Sequence, residues 1–571
     1  MTQPISAIRD LVVRALGLPE ATEVGVTTPP DRAMGDYCAA MFPYSKALRT
    51  PPMVLANMVA AAFRPGSGLT SAVAAGPFVN FRVDRAGFFA DVVARVAAAG
   101  AAWGHNAEGA GKTVVIDYSS PNISKHLAYH HIRSTMIGHS LLRIYRANGW
   151  RAVGLNFLGD WGTTHGMLIA AWKTWGDGID IADDGVTKLN ELYVRFRSEM
   201  KKDPALDAQA RGWFKKLEEG DAEARALWTR FRDVSLTEFE RAYAKLGVKF
   251  DATFGESFYE GRMEPVLRDL EQKGLLSVSE GATVVDLTEK KLPPCLLRKS
   301  DGATLYATRD IASAVHRFEE FAFDLSLYVV DKGQSIHFQQ WFAVCEKAGY
   351  PFAGRMEHVS FGQVRFGGKK TSTRGGSVVL LHEVLDEAAE ALDRVVAEKN
   401  PEMPAAQRAE VARQVGYGAI VFADLAKERA GDVEFDWERL LSFEGDTGPY
   451  CQYQHARIAS IVRKAGVDLA GADASRLATD EEWAVAMLVA EMPDKVRRAR
   501  ERNEPSVVAT YCIDLCRAFS SWYAQGSKDA SLKVNCEDPA TTKARLALAR
   551  CVQQTLANAL FLVGLEAPQE M

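Results

Sequence analysis

A polar heptapeptide, Ser119-Ser120-Pro121-Asn122-Ile123-Ser124-Lys125, follows the apolar run Val114-Val115-Ile116 and precedes a helix-like segment that begins near His131. Strand, tight turn and helix in that order aim backbone N–H groups at the turn, where the helix dipole favours anions. Pro121 and Asn122 are turn formers, and Lys125 brings a positive charge suited to a phosphate. Thirty-five residues further on, Asp160-Trp161-Gly162-Thr163 again follows an apolar run, Val153 to Leu158.

Other residues are chemically ambiguous when read locally. Asp310, in Tyr306-Ala307-Thr308-Arg309-Asp310, reads as the end of a strand opening a helix, the place of an N-capping aspartate. Glu256, in Gly255-Glu256-Ser257, is equally open. Lys370 lies in a glycine-rich loop between Gly367-Gly368 and Gly375-Gly376, and with Lys369 reads as a solvated charge pair. Tyr450, Tyr453 and Arg457 have i, i+3, i+7 spacing and share one helix face. Such a face can stack unpaired bases and hold a phosphate, or it can be two core tyrosines beside a surface arginine.

The elements that position these residues follow from hydrophobic pattern. Ile5, Ile8, Leu11, Val12 and Ala15 predict an opening amphipathic helix, followed by a small α/β unit ending in the strand Phe78 to Val83. An Ala-rich helix (Phe88 to Ala99) leads into a Gly/Ala stretch to Gly111 that reads as a hinge. From Lys112, short β-rich runs (113–118, 153–158, 326–330, 358–364) alternate with helical patterns such as 132–147 and 310–321. That alternation predicts a doubly wound parallel sheet with ligands at the carboxyl ends of its strands. A charged helical insertion, 188–246, interrupts it, and after Pro401 and Pro404 the chain reads as a helical bundle.

Bulk properties narrow the class. A chain of 571 residues exceeds one ordinary core. A hydrophobic content of 47% with 25% charged residues is that of a soluble globular protein, and no run reaches membrane-spanning length. The net charge of −5 gives no global attraction to nucleic acid, so such a partner must be held by local surface. Eight scattered cysteines without a Cys-x-x-Cys pair predict no structural metal site and fit a reducing cytoplasm; Cys512 and Cys516 read as buried thiols. The N-terminus lacks the apolar core of a signal peptide.

Taken together, these segments resemble the arginyl-tRNA synthetases, a family of class I aminoacyl-tRNA synthetases. The likeness is carried by Asp117 to Lys125, Ile132 to Thr135, Gly159 to Thr163, Phe254 to Ser257 and Tyr306 to Asp310, then Gln334 to Phe338, Lys370 to Gly376 and Phe443 to Arg457. It implies a Rossmann-like, doubly wound catalytic domain (109–400, insertion about 188–250), an N-terminal α/β domain contacting tRNA (1–108) and a C-terminal all-α anticodon-binding bundle (401–571).

Residue by residue, the resemblance implies that Glu256, Asp310 and Tyr306 bind the guanidinium of arginine. Asn122 and Gln334, with Asp117 close by, would take the α-amino and α-carboxylate groups. Carboxylates suit that ligand because a planar five-donor cation pairs best with them. For ATP, with Mg2+, the family's two motifs are of the type His-Ile-Gly-His and Lys-Met-Ser-Lys. The second appears as Lys370-Thr371-Ser372-Thr373; its missing final lysine is compensated, by the resemblance, from Lys125. The first departs from pattern as Ala128-Tyr129-His130-His131, keeping His131 and leaving His126 or His130 to substitute for the absent histidine. Tyr450, Tyr453, Arg457 and Asn80 match positions that touch tRNA.

The implied protein is a cytoplasmic, monomeric arginine–tRNA ligase that joins L-arginine to tRNA(Arg) with ATP and requires tRNA for activation. A second reading, motivated by Ala128 and His130, is a paralogue that binds tRNA without efficient adenylation. A dinucleotide-dependent oxidoreductase lacks the Gly-x-Gly-x-x-Gly turn it would need.

Overall fold

The computed structural model describes residues 3–300, 302, 304–366, 369–370 and 379–571. At its centre lies a five-stranded sheet in the spatial order Met356–His358, Leu325–Tyr328, Thr113–Asp117, Arg151–Leu158, Ala252–Gly255. Every pairing is parallel. Chain order reverses between Thr113–Asp117 and Leu325–Tyr328, which makes a topological switch point at their carboxyl ends. The β-branched run Val114-Val115-Ile116 is fully buried, as a strand covered by helices on both faces must be.

The helix His131–Ala147 follows the first of these strands and is buried along almost its whole length. Gly138 allows that depth. A Cβ there would come within 2.2 Å of Tyr118, whose hydroxyl lies 3.4 Å from His139 Nδ1.

Three helices, Gly185–Met200, Ala205–Glu218 and Ala222–Lys245, form the insertion between the strands Arg151–Leu158 and Ala252–Gly255. They share a core containing Trp161, Leu189, Phe196 and Trp228. The run 358–364 does not form one strand. The sheet strand ends at His358, the chain turns through Ser360 to Gly362, and Val364–Phe366 pairs instead with Val433–Phe435 and with Lys369–Lys370. Gly362 forces the departure: it packs so closely on Gly431 that a Cβ would meet that carbonyl oxygen at 2.3 Å. A small antiparallel sheet (276–279, 282–285, 295–298) and the helix Leu381–Lys399 complete this region.

The N-terminal unit packs the predicted helix, Gln3–Leu16, on a four-stranded sheet that includes Tyr37–Ala40 and Phe78–Val83. The Gly/Ala stretch after Ala99 is not a free hinge. Trp103 is buried and donates its indole N–H to Val489 O (3.2 Å), while Asn558 Nδ2 donates to the carbonyls of Gly100 and Trp103. Phe88 and Phe89 pack on Trp483, fastening this unit to the bundle.

In the C-terminal part, the helices Ala405–Leu425, Gly448–Ala465, Asp480–Glu501, Ser506–Lys528 and Pro539–Leu562 pack together as expected. None of the cysteines is in a disulfide, and all but the half-buried Cys536 are buried, Cys512 and Cys516 included. Among the described residues no helix is long and apolar enough to cross a membrane.

Gly138→Ala sets a helix-propensity gain of about 1 kcal/mol against overpacking of about 1–3 kcal/mol on an immobile ring. The overpacking wins, so a lower melting temperature is expected by calorimetry; an unchanged or higher value would mean that Tyr118 yields.

Candidate active site

The heptapeptide leaves its strand in a strained conformation. Ser119, Ser120 and Ser124 all adopt positive φ (73°, 51° and 62°), where non-glycine residues are uncommon. Hydrogen bonds hold each one. Ser119 N–H donates to Ser134 Oγ (2.9 Å), Ser120 N–H to Asn156 Oδ1 (3.1 Å) and Ser124 N–H to Ser235 Oγ (2.8 Å). Ile123 N–H donates to Gly159 O and Gly159 N–H to Pro121 O, lacing the turn to the end of the neighbouring strand. Glycine at 159 lets the Asn122 side chain lie close over the strand end, since a Cβ there would stand 1.9 Å from Asn122 Oδ1 and push that side chain aside. Asn122 is exposed at the strand ends.

The turn and the start of the helix His131–Ala147 border a cavity of about 400 Å³ at the switch point. Ser119, Ser120, His130 and His131 form one wall, and Val329, Val330 and Asp331 another. The helix N–H groups differ from expectation. Those of His131, Ile132 and Arg133 are donated to the carbonyls of Ala128, Tyr129 and His130, so a tight preceding turn already satisfies them.

His130 and His131 stack with ring centroids 4.3 Å apart. Burial pushes the His131 imidazole down to about 4, helped by repulsion from His130, so it is neutral at physiological pH. His130 is also lowered by burial. His126, the other candidate substitute, points away: its ring nitrogens meet Glu238 Oε1 (2.5 Å) and Thr187 Oγ1 (2.9 Å) of the insertion. Lys125 is exposed, with its ammonium 5.6 Å from the centre of the Tyr193 ring.

Acidic residues gather at and near the carboxyl ends of the sheet strands. Asp160 caps the end of its strand, accepting from Ser257 N–H (2.8 Å) and Ser257 Oγ–H (2.7 Å), and so fixes the neighbouring Glu256. Glu256 Oε1 accepts from Arg309 Nη1 at 2.9 Å. Burial lifts the Glu256 carboxyl to about 7; Arg309 opposes the lift, while Asp160 and Asp310 add to it. The folded chain therefore holds that proton more tightly than the unfolded one. The stability this adds is full at acid pH and is lost as pH rises through about 7.

Asp310 is not an N-cap. The helix Tyr306–Phe321 opens with Leu305 preceding it, which places Asp310 in the second turn, where Oδ2 lies 2.6 Å from His337 Nε2. Tyr306, 68% exposed, stands at the mouth of the same helix. Asp117 is buried at its strand end, taking Arg317 Nη2 at 2.7 Å and Ser120 Oγ–H at 2.9 Å. Burial lifts its carboxyl above the usual range, and Arg317 offsets part of that lift. Gln334 is exposed in the turn after Leu325–Tyr328, on the same side of the sheet as Asn122. Arg309 and Arg317 were not singled out from sequence, although their spacing from Asp310 on one helix was visible.

Lys370 pairs its backbone with Arg365 next to this wall, and Ser372 lies outside the described residues. Among the described residues no cluster of three potential metal ligands occurs.

The remaining predicted residues lie elsewhere. Tyr450 is half-buried with its hydroxyl 3.3 Å from Ser520 Oγ, Tyr453 is 41% exposed, and the Arg457 guanidinium stacks 4.5 Å over Tyr523. Tyr453 is thus the exposed member of the set, with Tyr450 and Arg457 half-buried against Ser520 and Tyr523. Asn80, 7% exposed between paired strands, does not present its side chain in the same way.

A doubly wound sheet with two polar strand ends at its switch point, a histidine-bearing helix start and an attached helical bundle defines a class I aminoacyl-tRNA synthetase. Residues 94–437 match the family model for the "tRNA synthetases class I (R), catalytic domain". Residues 451–571 match the "DALR anticodon binding domain" and 5–83 the "Arginyl tRNA synthetase N terminal domain". The chain belongs to the arginyl-tRNA synthetase family. It is 41% identical to the arginine–tRNA ligase of Alkaliphilus metalliredigens over 100% of this chain and 99% of the relative. Identity to the arginine–tRNA ligase of Exiguobacterium sibiricum is 43% over the same shares. The solved arginyl-tRNA synthetase of Thermus thermophilus is similar across 100% of both chains, with a TM-score of 0.85 at 26% identity.

Proposed function

We propose that this protein is an arginine–tRNA ligase, which joins L-arginine to tRNA(Arg) with conversion of ATP to AMP and pyrophosphate. The observation that carries the reading is the acidic set of Glu256 with Asp310 nearby, close to the carboxyl ends of the sheet strands, with a guanidinium, that of Arg309, already seated on Glu256. Geometry that accepts one guanidinium there suits another.

In this reading Glu256, Asp310 and Tyr306 receive the side chain of arginine. Asn122, Gln334 and the Asp117–Arg317 pair hold its α-amino and α-carboxylate groups over the strand ends. The carboxylate then attacks the α-phosphorus of ATP, the bond between that phosphorus and the α,β-bridging oxygen breaks, and pyrophosphate departs with that oxygen, leaving arginyl-adenylate. Little covalent work falls to the protein, so positioning and charge stabilisation dominate. His130 and His131 line the nucleotide cavity, while Lys125, Lys370 and Ser372 supply the phosphates with charge and hydrogen bonds. Mg2+ would enter on ATP, since it binds readily through phosphate oxygens and retained water. With His126 held by the insertion, His130 takes the place of the missing motif histidine. The 2′- or 3′-hydroxyl of the terminal tRNA ribose next displaces AMP.

Tyr450, Tyr453 and Arg457 offer the anticodon loop two rings and a cation, and Asn80 supports the N-terminal contact from within its sheet. The division into units 1–108, 109–400 and 401–571, a monomeric state and a cytoplasmic location belong to the same reading.

Aminoacylation of total tRNA with labelled arginine and lysine, compared directly, tests the function: arginine should be incorporated and lysine not, and the reverse would overturn it. ATP–pyrophosphate exchange should appear only when cognate tRNA is added. Asp310→Ala should raise the arginine KM about 10–100-fold, the loss of a charged hydrogen bond worth about 1.5–3 kcal/mol. An unchanged KM removes Asp310 from the pocket. Because Glu256 must be ionised to pair with the ligand, arginine KM should rise as pH falls from about 8 to 6, and Glu256→Gln should flatten that profile.

A further inference from the structure

One strap of chain connects the bundle to both ends of the nucleotide cavity. The helix Ala405–Leu425 carries Asp424 near its C-terminus, and the chain then runs through Arg429 and Gly431 into the strand Val433–Phe435. Towards the first motif, the strap holds Arg133, which borders the cavity two residues after His131. Arg133 Nη1 donates to Gly431 O (2.8 Å) and Nη2 to Arg429 O (3.3 Å). Towards the second motif, Asp432 accepts from Arg365 Nη2 (2.6 Å) and Gln363 N–H (3.0 Å), and Val433–Phe435 runs parallel to Val364–Phe366, the strand that pairs with Lys370.

The other end of the strap reaches the tyrosine face. The helices Ala405–Leu425 and Gly448–Ala465 touch backbone to backbone, for a Cβ at Gly448 would stand 2.8 Å from Gly418 O. Gln452, between Tyr450 and Tyr453, donates from Nε2 to Gln414 O at 3.0 Å. A shift of the tyrosine helix therefore has to move the helix that carries Asp424.

Asp424 is where that movement meets the cavity wall. It is 3% exposed, and its Oδ1 lies 2.9 Å from Arg133 Nε. The distance fits a strong contact but the angle does not: neither carboxylate oxygen, nor Arg133 Nε, makes a hydrogen bond among the described residues. A buried carboxylate in that condition forfeits most of what its partner could contribute, and a small displacement would align the two. Such a pair has one poor and one good arrangement, the property a coupling element needs.

We propose that the Asp424–Arg133 pair is the joint through which tRNA, seated on the Tyr450–Arg457 face, brings the first ATP motif and the strand Val364–Phe366 into working geometry. Asp424 is a positioning residue, and its alignment is completed when tRNA is bound. The inference rests on the ligase reading above and gives tRNA-dependent activation a physical route.

The test uses the full chain, ATP–pyrophosphate exchange at saturating arginine and ATP, and tRNA affinity by filter binding. Asp424→Asn should leave tRNA affinity and arginine KM within about twofold of wild type while lowering the tRNA-stimulated exchange rate about tenfold or more. With saturating tRNA of altered anticodon, the wild-type rate should fall, whereas that of the variant should fall no further. A variant that exchanges at the wild-type rate, or in which the two losses simply multiply, overturns the proposal. Should Asp424→Asn fail to fold, Asp432→Asn, on a side chain 23% exposed, is measured instead with the same loss expected and the same outcomes overturning it. Failure of the wild-type protein to charge arginine at all would sink the ligase reading, and is scored separately from these ratios.

Discussion

Three carboxylates largely withdrawn from water each face an arginine, and much of the structure is arranged to bring these pairs together. Asp117 takes Arg317, Glu256 takes Arg309, and Asp424 takes Arg133. Removing a carboxylate from water costs several kcal/mol, recovered only by a well-placed partner. The first two arginines come from a single helix, Tyr306–Phe321, on successive faces, while the third comes from the helix that opens the cavity. Fixing those helices against the sheet is therefore an electrostatic requirement as much as a matter of apolar packing.

The serine-rich turn illustrates how strain is maintained beside such charges. Three left-handed residues within six positions would relax if left to themselves. They persist because donors and acceptors from the neighbouring strand, the following helix and the insertion each engage one of them. The insertion thus has a local structural use: Ser235 and Tyr243 reach the turn, and Glu238 and Thr187 clasp His126. The insertion is therefore no mere appendage on the sheet, since it helps to hold the turn that borders the cavity.

Much of this was legible in the sequence. Alternating β-rich and helical runs predicted the parallel sheet, and the apolar periodicity of 132–147 predicted its buried helix. The polar turn pointed to a candidate site, although Pro-Asn between a strand and a helix also reads as an ordinary turn. Less legible was whatever depended on distant partners. Asp310 looked like a cap because local sequence cannot show that the helix starts four residues earlier, at Tyr306. The run 358–364 looked like one strand because the obstacle that bends it is the backbone of Gly431, far away in the chain. Asn80 matched a contact position, yet its depth within the sheet follows from pairing with Cys38 and Val73. The Tyr450–Arg457 face was ambiguous for a similar reason, since Tyr523, against which Arg457 stacks, sits on another helix.

The unpaired, sequestered sulfurs have a consequence of their own. Cys38 belongs to the N-terminal sheet, Cys295 and Cys345 to the sheet region, and Cys451, Cys512, Cys516 and Cys551 to the bundle. A bulky alkylating reagent reaches each only when its surroundings open, and opening free energies differ between regions of one molecule. Resolved by peptide mapping, the order in which these side chains become modified charts which part of the molecule loosens first, with no label to be engineered.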